Sequence, residues 1–140
     1  MIIVDTGFLY ALVDARDAWH ERALDHANTA AQGWVTTWPV LTEATHLMIR
    51  RLGTDYASAL MEDAADGGFQ VWSPGAEQLR RVPELMRKYA NLPMDLADAS
   101  LVLLAEHLGH GRILSTDQRD FRSYRFKNRK PFTNLMGIQP

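Results

Sequence analysis

Apolar residues fall along the chain in two rhythms. Ile2-Ile3-Val4 is an unbroken β-branched run, predicted to be a buried strand that Asp5-Thr6-Gly7 ends. Short runs of the same kind recur at Trp34 to Thr36, Phe69 to Trp72 and Ile113 to Ser115. Between them the spacing turns helical. Phe8 to Val13 predicts a short helix, and Asp17 is placed to cap a second from Ala18 to Ala30. Pro39 suits the first turn of a helix that runs to Arg51, where Gly53 stops it. Thr54 or Asp55 caps another, ending at Gly67-Gly68. Ala76 to Tyr89 reads as helix, with Pro83 kinking it or dividing it in two. Asn91-Leu92-Pro93 is a loop, and Asp95 to Leu108 is a strongly apolar helix stopped by Gly109. Tyr124 to Phe126 reads as a short edge strand.

Strands separated by stretches of mostly helix pair in parallel through right-handed crossovers. The predicted class is therefore α/β. It is a single three-layer α/β/α domain over residues 1–140, with a four- or five-stranded, mostly parallel sheet. No repeat, linker or low-complexity segment divides the chain.

Composition narrows this further. A chain of 140 residues with 46% hydrophobic content can bury a core. No apolar run reaches the length of about 18 residues that a membrane-spanning helix needs. The N-terminus lacks a basic region, so it does not read as a signal peptide. There are no cysteines, which excludes disulfide scaffolds, thiolate zinc sites and cysteine nucleophiles and fits a reducing cytoplasm. The net charge of -2 hides an asymmetry. Residues 1–118 hold 9 Lys/Arg against 16 Asp/Glu, whereas residues 119–140 hold 6 against 1. An acidic body with a basic end can set metal-binding carboxylates beside a polyanion.

Several carboxylates stand where ordinary surface acids do not. Asp5 and Asp117 follow predicted strands, and open α/β sheets bind ligands at the carboxyl ends of strands. Turns and helix caps are the commoner role for such aspartates. On a helical wheel Leu101, Val102 and Ala105 lie within about 60° of Asp98, so Asp98 sits inside the apolar stripe, with Asp95 at its edge. A carboxylate on a buried face costs several kcal/mol unless it is paired, protonated or metal-bound. Glu43 flanks the apolar face formed by Val40, Ala44, Leu47 and Met48. Four acids reaching one cleft would repel one another and need a proton or a cation. Oxygen ligands without thiolate select Mg²⁺ or Mn²⁺, and such a site suits phosphodiester hydrolysis.

Other chemistries lack their motifs. There is no P-loop and no Gly-x-Gly-x-x-Gly turn. Glu43 to His46 is a single Glu-x-x-His without a second copy. The histidines share no ligand register, and no serine lies in a nucleophile elbow. A receiver-like phosphoacceptor domain would need an acceptor acid after the third strand, where Ser73-Pro74 stands instead.

The ordered set of Asp5-Thr6-Gly7, Leu41-Thr42-Glu43-Ala44-Thr45, Asp95-Leu96-Ala97-Asp98-Ala99-Ser100 and Ser115-Thr116-Asp117 leading into Asp120-Phe121 resembles the PIN-domain ribonucleases. The resemblance is closest to the VapC-type toxins of toxin–antitoxin pairs. It implies a PIN-like fold and a Mg²⁺- or Mn²⁺-dependent endoribonuclease. Asp5, Glu43 and Asp98 would be the main acids and Asp117 the more variable fourth, with Asp120 competing for that place. The metal would rest on Asp5, Asp98 and Asp117, while Thr6, Thr116 and Asp95 support the site. Position 7 is Gly where similar proteins often have Ser. The resemblance further implies an RNA substrate, a small antitoxin protein as partner, and a homodimer, expected through apolar surfaces of the early helices that hold Phe8, Leu9, Leu41, Leu47 and Met48. Arg119, Arg122, Arg125 and Lys127, with Arg129 and Lys130, then read as RNA-backbone contacts. The alternative is a non-catalytic PIN-like module that binds RNA or a partner.

Overall fold

The computed structural model describes residues 1–29 and 31–137. Ile2–Val4 forms β1, with Ile3 and Val4 fully buried at the centre of the sheet. Beside it lie Trp34–Thr37 (β2) and Arg112–Leu114 (β4). Ile3 pairs with Val35 on one side and Ile113 on the other. Gln70–Trp72 (β3) adds outside β2, and Thr133–Asn134 (β7) outside β4. The order is β3-β2-β1-β4-β7, with every pairing parallel. Successive strands step outward from β1 through β2 to β3, and the chain then returns to place β4 on the opposite side. The order reverses between β1 and β4, and a crevice opens at such a point.

Helices flank the sheet to give the expected three-layer α/β/α arrangement: Thr6–Val13 (α1), His20–Thr29 (α2), Trp38–Arg51 (α3), Thr54–Ala65 (α4), Ala76–Leu79 (α5), Arg81–Lys88 (α6), Leu96–Leu108 (α7) and Gln118–Ser123 (α8). The helix α7 is the central one, buried from Ala99 to Ala105. Gly109, left-handed at φ 79°, closes it. Among the described residues no helix is long and apolar enough to cross a membrane.

Three expectations change. Tyr124 to Phe126 is not an edge of the main sheet. Arg125–Phe126 (β5) instead pairs antiparallel with Lys130–Pro131 (β6) in a separate ribbon, through a turn with Lys127 and Asn128 at φ 50° and 64°. Phe126 turns inward onto Phe132, 5.5 Å away, and Thr133–Asn134 takes the edge of the sheet instead. Gly53, at φ 110°, occupies the cap position of α4 in place of Thr54 or Asp55. The second helix starts at His20 because Asp17 accepts the Trp19 N–H at 2.8 Å and shapes a turn first. Its expected end, Ala30, lies outside the described residues. On the early helices, Phe8, Leu9, Leu41 and Met48 are at most 1% exposed, and Leu47 is partly buried against the core. The exposed apolar residues of α3 are Trp38 and Ile49.

Candidate active site

Three of the four cleft carboxylates are delivered by the ends of regular elements. Asp5 leaves β1 in an extended conformation and caps α1, its Oδ1 accepting the Phe8 N–H at 2.9 Å. Its Oδ2 accepts the hydroxyl of Ser115. Ser115 is buried, and Asn134 on β7 grips its backbone, accepting its N–H at 3.2 Å and donating to its carbonyl at 2.9 Å. Asp117 follows the next turn and caps α8, accepting the Asp120 N–H at 3.1 Å. Asp98 stands in the first turn of α7, where Asp95 caps the helix by accepting its N–H at 2.8 Å. Asp98 Oδ2 accepts the Tyr124 hydroxyl at 3.0 Å. Glu43 projects half-buried from α3.

These elements bring Asp5, Glu43, Asp98 and Asp117 to one cavity of about 240 Å³. Thr6, Gly7 and Thr116 line it with them, and Val40, Leu47, Ala97 and Leu101 complete the wall. No Lys or Arg is among the lining residues. Thr116 crowds Gly7 so closely that a Cβ there would lie 1.8 Å from its hydroxyl oxygen. Serine at position 7 is therefore incompatible with this placement of Thr116. Asp95 is exposed at the outer rim, near enough to Glu43 for their charges to repel. Asp120 does not line the cavity; its carboxylate lies 3.4 Å from the Arg119 guanidinium.

The electrostatics follow from that enclosure. Burial pushes the Asp5 carboxyl up to about 6, against the opposing effect of the Ser115 and Phe8 hydrogen bonds. Burial pushes Asp98 to about 7, with the Asp95 charge adding and the Tyr124 hydrogen bond opposing. Glu43 is raised by burial and by Asp95, and Asp117 by burial and by Asp120. The Tyr124 phenol is pushed up by burial and by Asp98, which keeps its proton available for donation.

The basic residues stand outside this wall. Arg119, 79% exposed, turns to Asp120. Arg122 is exposed and lines a separate hollow with Gln118, Phe121 and Phe132. Arg125 folds back to donate to the carbonyls of Arg122 at 2.8 Å, Ser123 at 3.2 Å and Tyr124 at 2.9 Å, closing the end of α8. Lys127 is exposed at the ribbon turn. Sequence reasoning missed Ser115, Tyr124 and Asn134. Only Ser115 carries a local signal, as the residue that follows β4 two positions before Asp117.

The acid set fits a hard divalent cation. Four carboxylates with raised proton affinity, in a wall that contains no Lys or Arg, hold charge that a cation would neutralise. Among the described residues no group of three or more His, Cys, Asp or Glu side chains stands close enough to hold a metal ion. Mg²⁺ is commonly held by one or two carboxylates with several waters retained.

The sequence matches the PIN domain family over residues 2–127. It is 28% identical over 124 residues to Ribonuclease VapC26 of Mycobacterium tuberculosis (strain ATCC 25618 / H37Rv), covering 89% of this chain and 92% of that protein. Among solved structures, the fold is similar to that of Mycobacterium tuberculosis VapC20, a Sarcin-Ricin loop cleaving toxin. The TM-score is 0.78 at 24% identity, covering 85% of this chain and 92% of the other. At that identity the likeness speaks for the fold alone.

Proposed function

The chain belongs to the PIN domain family, and from that premise we propose that it is a Mg²⁺- or Mn²⁺-dependent endoribonuclease, the toxin of a toxin–antitoxin pair. The observation that carries this reading is the cavity where four carboxylates meet without a basic residue. The relative named as a ribonuclease, aligned over nearly its whole length, supports the same class. Asp5, Asp98 and Asp117 would hold the cation, and Glu43 would complete the catalytic set. When bound, the cation supplies charge neutralisation at the phosphate and an activated water.

The chain's own residues do the rest. Ser115 and the Phe8 N–H fix both oxygens of Asp5. Glu43, whose proton affinity is raised by burial and Asp95, takes a proton at its carboxylate from the attacking water. Val40, Leu47 and Leu101 exclude bulk water from one side of the cleft. Arg119 and Arg122 on α8, with Lys127 on the ribbon, contact the RNA backbone beside Asp117. Arg125 shapes the end of α8 for them. The protein acts in the cytoplasm as a homodimer, with the exposed Trp38 and Ile49 face of α3 in the association, and a small antitoxin protein restrains it.

A labelled-RNA assay on the purified protein tests this. Internal cleavage is expected with Mg²⁺ or Mn²⁺ and is expected to stop in EDTA. Undiminished cleavage in EDTA, or none with either metal, would overturn the reading.

A further inference from the structure

We propose that Tyr124 is a positioning residue of the acid cleft, its hydroxyl holding Asp98 by one carboxylate oxygen so that the other meets the cation. This rests on the metal-dependent reading above and adds a residue to it. Tyr124 is fully buried, and its hydroxyl reaches Asp98 Oδ2 at 3.0 Å across 26 residues of chain. The ring is wedged edge-on between Tyr89, 5.0 Å away, and Phe121, 5.3 Å away. Its backbone is fixed on both sides. The Tyr124 N–H donates to the Asp120 carbonyl at 2.9 Å. The following N–H, of Arg125, donates to the Tyr89 hydroxyl at 2.9 Å.

The phenol is therefore the fixed member of the pair, and the aspartate the adjustable one. Asp98 is anchored at its backbone by Asp95, whereas Tyr124 is the residue that meets its carboxylate. A buried tyrosine hydroxyl needs some partner. Tyr89 shows the ordinary solution, its hydroxyl accepting a backbone N–H. Tyr124 instead spends its donor on a carboxylate that lines the cleft. Hydrogen-bond partners of metal ligands change metal affinity about 10- to 100-fold when removed.

Calorimetric titration with Mn²⁺ alone, on the intact protein and its variants, separates positioning from packing. Tyr124→Phe keeps the ring and its neighbours, and it is expected to bind Mn²⁺ about tenfold more weakly. Tyr89→Phe loses a hydroxyl that reaches Tyr124 only through the backbone, and it is expected to lower the melting temperature while weakening Mn²⁺ binding much less than Tyr124→Phe. In an Asp98→Asn background, adding Tyr124→Phe is expected to weaken Mn²⁺ binding no further, because the tyrosine acts through that carboxylate. Equal affinity in Tyr124→Phe and the unmutated protein would overturn the positioning role alone. Equal loss in the Tyr89 and Tyr124 variants would reduce it to packing. No Mn²⁺ binding by the unmutated protein would remove the metal reading and this proposal together.

Discussion

Two carboxylates on the same helix are treated in opposite ways. Glu106, toward the end of α7, meets the guanidinium of Arg81 through Nε at 2.5 Å and Nη2 at 2.8 Å, and accepts the Lys127 N–H at 2.6 Å. Arg81 is braced in turn by Asn128 at 2.9 Å and Glu84 at 3.1 Å. Asp98, two turns earlier, meets one phenol, with Asp95 and Asp117 near enough to repel it. The fold is thus able to bring an arginine to a half-buried acid on α7, and it does so at Glu106. At the cleft it gathers four acids and brings no base. The first arrangement ties the ribbon turn to the helix. The second gives up stability locally, which a bound cation returns by mass action.

The comparison breaks most visibly through activity. Asp98→Asn keeps the shape of the side chain while removing charge, and RNA cleavage is expected to fall by on the order of 100-fold or more. Glu106→Gln is expected to do the reverse. It leaves Arg81 with only the more exposed Glu84 as its anion and lowers stability by roughly 2 kcal/mol, or about 6 °C of melting temperature, after allowing for partial exposure. Its Mn²⁺ affinity is expected to stay within about twofold of the unmutated protein, since it touches no cleft residue. A cleavage defect as deep as that of Asp98→Asn would erase the distinction between the two acids.

Acid–base behaviour sharpens it further. Asp5 near 6 and Asp98 near 7 hold protons that the unfolded chain, at 3.8, has already released. The native state binds more protons in that window, so stability falls as pH rises. The contribution is complete below the unfolded value and is lost as pH climbs through 6 and 7. Metal-free protein is therefore expected to melt at a lower temperature at pH 8 than at pH 5. Asp98→Asn is expected to flatten that slope and raise the pH 8 melting temperature by about 3 °C, roughly 1 kcal/mol once solvent screening of the half-buried group is discounted. The smallest expected effect belongs to the basic side. Arg122→Ala is expected to lessen the salt dependence of RNA binding by about one unit of log–log slope, with Mn²⁺ affinity unchanged.

Much of this was legible along the chain. Ile2-Ile3-Val4 and the stripe from Ala99 to Ala105 carry their own periodicity, and Asp95, Asp98 and Gly109 mark the ends and the oddity of α7. The acids were recognisable because each breaks a local rule, at a strand end or inside an apolar face. What stayed hidden is long-range. Tyr124 and Asp98 are 26 residues apart, and Ser115 and Asp5 are 110 apart, with no motif linking either pair. Strands of two residues, such as β5, β6 and β7, are too short to show alternation. The helical stretch after β3 breaks at Arg80, which leaves Pro83 inside the first turn of α6, where its missing N–H costs little.

Mn²⁺ titration followed by backbone amide NMR tests most directly whether the unpaired acids form a cation site. Paramagnetic broadening is expected first at the amides of Asp5, Thr6, Asp98 and Thr116, spreading to Glu43 and Asp117, with the Glu106 region sharp at the same ratio. Broadening that begins elsewhere, for instance around Glu62, Asp63 and Asp66 on the outer helix, or that never appears, would contradict the account.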